Sequence, residues 1–206
     1  MSARFAFLIK ILLSLIFIVI IVSTAAAEND FYKSFAIVEF KSTELSQKLP
    51  LEMREDFAKT AAAFLFYVEA ERENLALLDA PASAGGSIGE ENIAFLLDER
   101  LRELNMLIRG AVMFPLSSAA EDIYLACKFL AQRVPYDRGE PHRATFRKSA
   151  RAWSDFAAAE ITFYEKLFAG DRAKVDACQR YLCECRVSNL RREYKGVMSI
   201  KIEKED

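Results

Sequence analysis

The sequence predicts an all-α protein, an antiparallel helical bundle built from two similar three-helix units. Apolar residues recur at spacings of three and four along nearly the whole chain after residue 30. Ala, Leu, Glu, Lys and Arg, which favour helices, dominate the same stretch. No alternating run of apolar residues is long enough to indicate a β-strand. One amphipathic hairpin cannot bury its own apolar stripe, so a third helix is expected to close each core.

Prolines and glycines mark where each predicted helix begins and ends. Pro50 suits the first turn of the second helix, where its missing N–H costs nothing, and residues 81–89 form a predicted loop. Pro115 breaks the chain again, and residues 134–141 form a second predicted loop. The Gly-Asp pair at 170–171 is typical of a helix stop followed by an N-cap. The expected helices are 31–48, 51–79, 90–113, 117–133, 142–169 and 171–195.

The two halves of the chain align with each other, which indicates a duplicated helical unit. Residues 57–75 match residues 146–164 at a constant shift of 89, and residues 92–104 match residues 178–190 at a shift of 86. The lost three residues fall in the loop at 81–89. The identical or similar pairs include Phe57/Phe146, Lys59/Lys148, Thr60/Ser149, Phe64/Trp153, Tyr67/Phe156, Glu71/Glu160, Phe95/Tyr181, Leu96/Leu182, Arg100/Arg186 and Leu104/Leu190.

The first 27 residues are predicted to be an export signal. Arg4 and Lys10 supply the positive start, an apolar run of about a dozen residues follows, and three alanines before Glu28 offer a cleavage site. The run is short for a membrane span, which needs about 20 residues; an uncleaved anchor is the alternative. We therefore expect a protein of the bacterial periplasm or exterior, with no stable membrane span after cleavage.

The remaining chain is expected to contain a degenerate first repeat at 28–114, a second repeat at 115–196 and a tail at 197–206. Residues 28–112 hold 16 Asp/Glu and 9 Lys/Arg, net −7, whereas residues 113–206 hold 14 and 17, net +3. An acidic half favours a cationic partner, although a solvated acidic face has the same composition. The basic runs lack interleaved aromatic residues, so no nucleic acid partner is expected.

Candidate catalytic residues are few. His142 is the only histidine and, beside a proline at a helix start, is expected on the surface rather than acting as a base. The sequence contains no nucleophile-elbow, zinc-protease or phosphate-loop motif. A glycosidase that uses two carboxylates needs no motif and stays an alternative. The expectation is a protein that binds and does not catalyse, with no cofactor and no metal.

Two spaced motifs lie in the second half of the chain. The first comprises Arg151, Trp153, Phe156 and Glu160, and the second comprises Cys178, Leu182, Arg186 and Leu190. Their order and spacing resemble the LprI-like lysozyme-inhibitor domain of exported bacterial proteins. The resemblance covers residues 117–194 well and, through the internal repeat, residues 31–112 weakly.

The resemblance implies inhibition of lysozyme-type muramidases by protein–protein binding. Such enzymes are cationic, so attraction to the acidic half would speed association and weaken with salt. The alternative is a non-enzymatic structural or interaction module of the envelope with an unknown partner, because a fold does not fix a function. A long, acidic-flanked loop is the segment expected to enter a cleft, and its candidate binding residues are Ser83, Gly85, Gly86, Glu90 and Glu91.

The cysteines depart from the family pattern. The family cysteine that follows Ala-Glu is Ile161 in this chain, so the expected partner of Cys178 is missing. Cys178, Cys183 and Cys185 share one predicted helix, where their spacing is poor for bonding to one another. In an oxidising compartment we expect a disulfide from Cys127 to Cys178 or Cys185. The Cys127–Cys178 bond would re-create the helix-to-helix staple of the family.

Arg186 is predicted to be buried, because the leucines on either side of it on the helix have the spacing of a core face. A buried guanidinium needs a carboxylate, and Glu160 and Asp155 are the candidates. Arg100 and Glu71 occupy the equivalent places in the first unit. The sequence therefore predicts an Arg–Glu clamp that links the second and third helices of each unit.

Trp153 lies on a helical face with other apolar residues and is expected in the core; an exposed binding anchor is the alternative. Arg151 and Glu160 are expected near the edge of that face.

Overall fold

The computed structural model describes residues 26–77, 88–110 and 140–193. This part of the chain is helical apart from short turns and contains no strand, so the predicted all-α class is confirmed. None of its helices is both long enough and apolar enough to cross a bilayer. The helices are α1 (Ala26–Lys48), α2 (Leu51–Ala76), α3 (Ile88–Ile108), α4 (Glu140–Leu167) and α5 (Arg172–Glu193).

Three predicted segments lie wholly or mainly outside the described residues: the signal at 1–27, the helix at 117–133 and the tail at 197–206. The division into two three-helix units therefore stays a prediction. The predicted start of the first helix was wrong, because α1 begins at Ala26. The predicted end of the third helix was also wrong. Gly110 has a φ of +67°, a left-handed conformation that ends a helix, and α3 stops at Ile108.

The turn between α1 and α2 is closed by one arginine. Arg54 donates from Nε to the carbonyl of Leu49 at 2.9 Å and from Nη2 to the carbonyl of Gln47 at 3.0 Å. These carbonyls lie at the C-terminal end of α1, where no helical N–H is available to them. Pro50 has an extended backbone, with φ −54° and ψ 149°, and α2 begins immediately after it.

The turn between α4 and α5 has the predicted stop and cap. Gly170 has a φ of +80°, and its N–H donates to the carbonyl of Glu165 at 3.1 Å. The Asp171 carboxylate accepts the N–H of Lys174 at 3.3 Å, which satisfies one open donor at the start of α5. Hydrogen bonds from Lys174 lower the pKa of Asp171.

The middle helices α2 and α4 pack against each other in an antiparallel pair. The Phe57 ring lies 5.2 Å from the Phe163 ring at one end, and Thr145 of α4 donates to Asn74 of α2 at 3.3 Å at the other. Helices α3 and α5 pack together and complete the core with this pair, while α1 packs mainly on α3. Positions that align between the two halves therefore face each other near the middle of α2 and α4.

Candidate functional site

Two arginines are buried at aligned positions of α3 and α5. Arg100 and Arg186 each keep only 3 % of their surface exposed. Each guanidinium lies next to one hydroxyl from its own half of the chain and one carboxylate from the other half. For Arg186 these are Ser149 and Glu71, and for Arg100 they are Thr60 and Glu160. We name these groups the Arg186 cluster, which comprises Arg186, Tyr67, Glu71, Ser149, Asn189 and Glu193, and the Arg100 cluster, which comprises Arg100, Thr60, Glu103 and Glu160.

The guanidinium of the Arg186 cluster has three polar neighbours. Arg186 Nη1 donates to Glu71 Oε1 and to the Tyr67 hydroxyl, both at 2.9 Å. Its Nη2 lies 3.4 Å from Ser149 Oγ. The guanidinium also lies 5.4 Å from the centre of the Tyr67 ring, within the range of a cation–π contact.

Glu71 is the hub of the Arg186 cluster. It accepts a hydrogen bond from Asn189 Nδ2 at 2.7 Å and another from Ser149 Oγ, besides the one from Arg186. Burial alone would raise the pKa of Glu71, but Arg186 and the hydrogen bonds to the carboxylate outweigh it, and the pKa is lowered. Burial and the charge of Glu71 raise the pKa of Glu193 well above its ordinary value. At neutral pH Glu71 is therefore ionised, whereas Glu193 binds a proton more readily than an ordinary glutamate does.

The Arg100 cluster has one arginine between two carboxylates. Arg100 Nη1 lies 2.6 Å from Glu103 Oε2 and 2.6 Å from Glu160 Oε1. Its Nη2 lies 3.5 Å from Thr60 Oγ1. The guanidinium is flanked by the rings of Phe64 and Phe156, each with its centre 5.4 Å away.

Several atoms of the Arg100 cluster lack a hydrogen-bond partner among the described residues. These are Glu103 Oε1, Glu160 Oε2 and Arg100 Nε, all of them buried. Burial raises the pKa of Glu103 to about 7, because the charge of Glu160 adds to the effect of desolvation while Arg100 offsets only part of it. Two carboxylates thus share one guanidinium, and the cluster carries a surplus negative charge when both are ionised.

The predicted Arg–Glu clamp was wrong in its partners. Arg186 pairs with Glu71 rather than with Glu160, and Arg100 pairs with Glu160. Asp155, the other candidate, is exposed. The reason is the antiparallel packing of α2 and α4, which brings each glutamate to the arginine of the other half. Glu160, expected near the edge of its helix face, is fully buried for the same reason.

A cavity of about 30 Å³ lies between the two clusters. The residues around it come largely from aligned positions of the two halves, and Glu103 and Tyr181 complete the lining. The cavity therefore lies where the halves meet. The five aligned pairs that line it are Phe64/Trp153, Tyr67/Phe156, Leu96/Leu182, Glu99/Cys185 and Arg100/Arg186.

The rim of the cavity is formed by partly exposed side chains, Glu99, Trp153 and Cys185. The Tyr181 hydroxyl donates to Glu99 Oε2 at 2.5 Å, and Cys185 Sγ lies 3.7 Å from the same oxygen. Burial, followed by the charge of Glu99, raises the pKa of Cys185. The thiol is therefore protonated at neutral pH and is a weak nucleophile.

The other residues of the two spaced motifs divide between core and surface. Phe156, Cys178, Leu182 and Leu190 are buried in the core, and Trp153 is half-buried against it. Arg151 is exposed. Most of this motif is therefore packing, and only Trp153, Phe156, Leu182 and Arg186 reach the cavity.

The prediction that His142 lies on the surface was wrong. His142 is buried in the first turn of α4, on the same helix face as Phe146 and Ser149. Because α4 begins at Glu140, two residues earlier than expected, His142 belongs to the amphipathic pattern of the helix rather than to the loop before it.

Of the predicted binding loop, only Glu90 and Glu91 fall within the described residues, and both are exposed in the first turn of α3. Ser83, Gly85 and Gly86 lie outside them. This position suits the glutamates, because carboxylates near a helix N-terminus are stabilised by its dipole.

No disulfide is seen at the three described cysteines. Cys178 is a buried free thiol and Cys185 a half-buried one, and Cys183 is buried in the same helix. Cys127 lies outside the described residues, so its pairing with Cys178 stays a prediction that this structure does not display. Burial and the nearby charges of Glu103 and Glu160 raise the pKa of Cys178, which makes its thiol inert in this state.

Sequence reasoning missed Glu103, Asn189 and Glu193 in the clusters. A local signal existed: Glu103 follows Arg100, and Asn189 follows Arg186, by three residues, a spacing that places each such pair on one helix face.

The part of the chain that the structure describes holds no group of three or more His, Cys, Asp or Glu arranged to hold a metal ion.

No protein-family model, no curated protein and no solved structure matches this chain.

Proposed function

We propose that this protein is exported and acts by binding a cationic protein partner, without catalysis of its own. The observation that carries this proposal is the location of the exposed large apolar side chains. Within the described ranges all of them lie on α1, on α2 or at their ends, in the half that carries net −7. They are Ile37, Phe40, Leu51, Phe66 and Leu77.

Phe66 on α2 and Phe40 on α1 are the candidate anchors, with 74 % and 66 % of their areas exposed. Exposed aromatic side chains of this kind are typical of the residues that dominate protein–protein binding. The exposed carboxylates of Glu55 and Glu69 lie on the same face of α2 as Phe66, paired with Lys59 at 3.0 Å and with Arg72 at 3.3 Å. Such exposed pairs are weak, so a basic partner surface can compete for the two carboxylates beside the aromatic anchor.

A lysozyme-type muramidase is the candidate partner, since the LprI-like motifs imply one and such enzymes are cationic. The small size of the cavity beside the buried carboxylates supports binding rather than hydrolysis. A cavity of about 30 Å³ is too small for a sugar ring, whereas ligand pockets usually enclose about 300 Å³ or more. Glu103, whose pKa would suit a general acid, therefore has no room for a saccharide beside it.

The alternative is an envelope interaction module whose partner is not a muramidase. The discriminating experiment is a titration of lysozyme activity on cell walls with the purified full chain, at low and at physiological salt. We expect inhibition that saturates near a one-to-one ratio and weakens with salt. Inhibition that is absent at excess protein would exclude the muramidase as partner.

The contact surface is tested by Phe66→Ser, with Ser154→Ala as the control on the neighbouring exposed face of α4. Removing an aromatic anchor costs roughly tenfold or more in affinity, whereas the control is expected to bind like the unchanged protein. Equal affinities of the two variants would place the contact surface elsewhere.

A further inference from the structure

We propose that the cavity between the Arg100 and Arg186 clusters binds a primary ammonium group. Two sources offer this chemistry, a lysine side chain of a protein partner and a free small amine. This proposal deepens the proposed function. The identity of the partner rests on that function, whereas the chemistry of the site does not.

The charge around the cavity favours a cation. Arg186 is paired with Glu71 and Arg100 with Glu160, so both guanidinium charges are balanced. Glu99 faces Arg102 at 3.8 Å, so the carboxylate of Glu103, which also lines the cavity, is the surplus negative charge when it is ionised. An anion would find its arginines already occupied.

Glu103, which lines the cavity, also holds an acceptor without a partner in the described part of the chain. Glu103 is more than nine-tenths buried, and its Oε1 has no hydrogen-bond partner among the described residues. An unpaired buried carboxylate oxygen is costly, and an ammonium N–H would remove that cost. The Trp153 and Tyr181 rings line the same cavity and suit a cation, because their faces are electron-rich.

The size of the cavity selects among cations. A volume of about 30 Å³ holds a group of the size of one or two water molecules. The –NH₃⁺ group has this size, whereas a trimethylammonium or a guanidinium group does not. Glu99, with 23 % of its side chain exposed, lies at the rim with Trp153 and Cys185, so the group would enter from solvent between them.

The position of Trp153 provides a direct readout, since it is the only tryptophan in the chain. Its fluorescence is titrated with methylammonium at constant ionic strength, with tetramethylammonium as the cation that is too large. For two non-hydrogen atoms, a dissociation constant of about 10 mM or weaker is expected. A saturable change with methylammonium alone supports the proposal. No saturable change, or the same change with both cations, overturns it and leaves a cavity that holds water only.

Variants separate the site from a general salt effect. Glu103→Gln and the more exposed Glu99→Gln are each expected to weaken the methylammonium response at least tenfold. Glu193→Gln is the control, because Glu193 is a buried carboxylate that does not line the cavity. A response that survives both cavity variants, or that the control abolishes equally, contradicts the proposal.

Competition between methylammonium and lysozyme distinguishes the two sources of the ammonium group. A lysine side chain is the occupant if methylammonium weakens the inhibition of lysozyme while tetramethylammonium at the same ionic strength does not, and if Glu103→Gln weakens that inhibition as well. A free amine is the occupant if methylammonium binds and lysozyme is not inhibited; the site then stands while the muramidase proposal fails. Inhibition of lysozyme that is unchanged by Glu103→Gln, without any methylammonium response, would support the muramidase proposal and overturn the ammonium site.

Discussion

The Arg186 and Arg100 clusters are built from aligned positions, but they differ in how many polar atoms are paired. In the first, Glu71 accepts from Arg186, Ser149 and Asn189. In the second, Glu160 touches only the guanidinium of Arg100, and its Oε2 has no hydrogen-bond partner within the described part of the chain.

Two differences in sequence explain the contrast. Tyr67 gives Arg186 a hydroxyl acceptor, where the aligned Phe156 gives Arg100 only a ring face. Asn189 donates an amide to Glu71, where the aligned Glu103 adds a second carboxylate. The Arg186 cluster is thus a structural unit with balanced charge, and the Arg100 cluster keeps a surplus charge and an open acceptor beside the cavity.

The largest expected effect is the loss of the Arg186 pair. Arg186→Leu leaves Glu71 buried without its counter-ion and is expected to lower the free energy of unfolding by about 3–5 kcal/mol. Urea unfolding measures this. Adding Glu71→Leu removes the stranded charge and should restore much of the loss, whereas adding Glu160→Leu should not. Rescue by the Glu160 change instead would show that the arginine pairs within its own half.

The second prediction compares the two glutamates directly. Glu71→Gln is expected to cost about 2–4 kcal/mol, because Glu71 is the one carboxylate within ion-pair distance of Arg186 among the described residues. Glu160→Gln is expected to cost about 1 kcal/mol, because Arg100 keeps Glu103 at 2.6 Å. Thermal and urea unfolding of both variants at pH 7 test this order. Equal losses of stability would mean that Glu103 does not compensate Arg100 for the loss of Glu160.

The third prediction concerns pH. The pKa of Glu103 is about 7 in the folded protein against 4.5 as its ordinary value. A raised carboxyl pKa stabilises the fold fully below about pH 4.5, and this contribution is lost as the pH rises through 7. Glu103→Gln should therefore lose less stability than the unchanged protein between pH 5 and 8, by on the order of 1–3 kcal/mol.

The groups that face Glu103 are Arg100 and Glu99 on α3, Glu160 on α4 and Cys178 on α5. The lowered pKa of Glu71 adds an opposite dependence, with stability lost in acid, but both proteins share it and it cancels in the comparison. Asp98→Asn, on the exposed face of α3, is the control and should follow the unchanged protein. Parallel curves for Glu103→Gln and the unchanged protein would contradict the prediction.

Periodicity and breakers were enough to predict five helices and the stop-and-cap turn at Gly170, because these depend on local sequence. The burial of Arg186 also followed from its apolar neighbours on one helix. Its partner did not, because the choice between Glu71 and Glu160 depends on how α2 packs on α4, and nothing local encodes that packing. The same holds for the cavity, whose lining comes from four helices.

The smallest expected effect is the difference in stability between removing the Ser149 hydroxyl and removing the Thr60 hydroxyl. Ser149 donates to Glu71 across the α2–α4 contact, whereas the aligned Thr60 donates to the carbonyl of Phe57 in its own helix, at 2.9 Å. Ser149→Ala therefore removes a hydrogen bond to a buried charge and is expected to cost about 1–2 kcal/mol. Thr60→Val keeps the side-chain shape and loses the local bond and a long contact of 3.5 Å with Arg100, so about 0.5 kcal/mol is expected. A Thr60→Val loss equal to that of Ser149→Ala in urea unfolding would show that Thr60 supports Arg100 as Ser149 supports Glu71, and the contrast between the clusters would then rest on Glu103 and Phe156 alone.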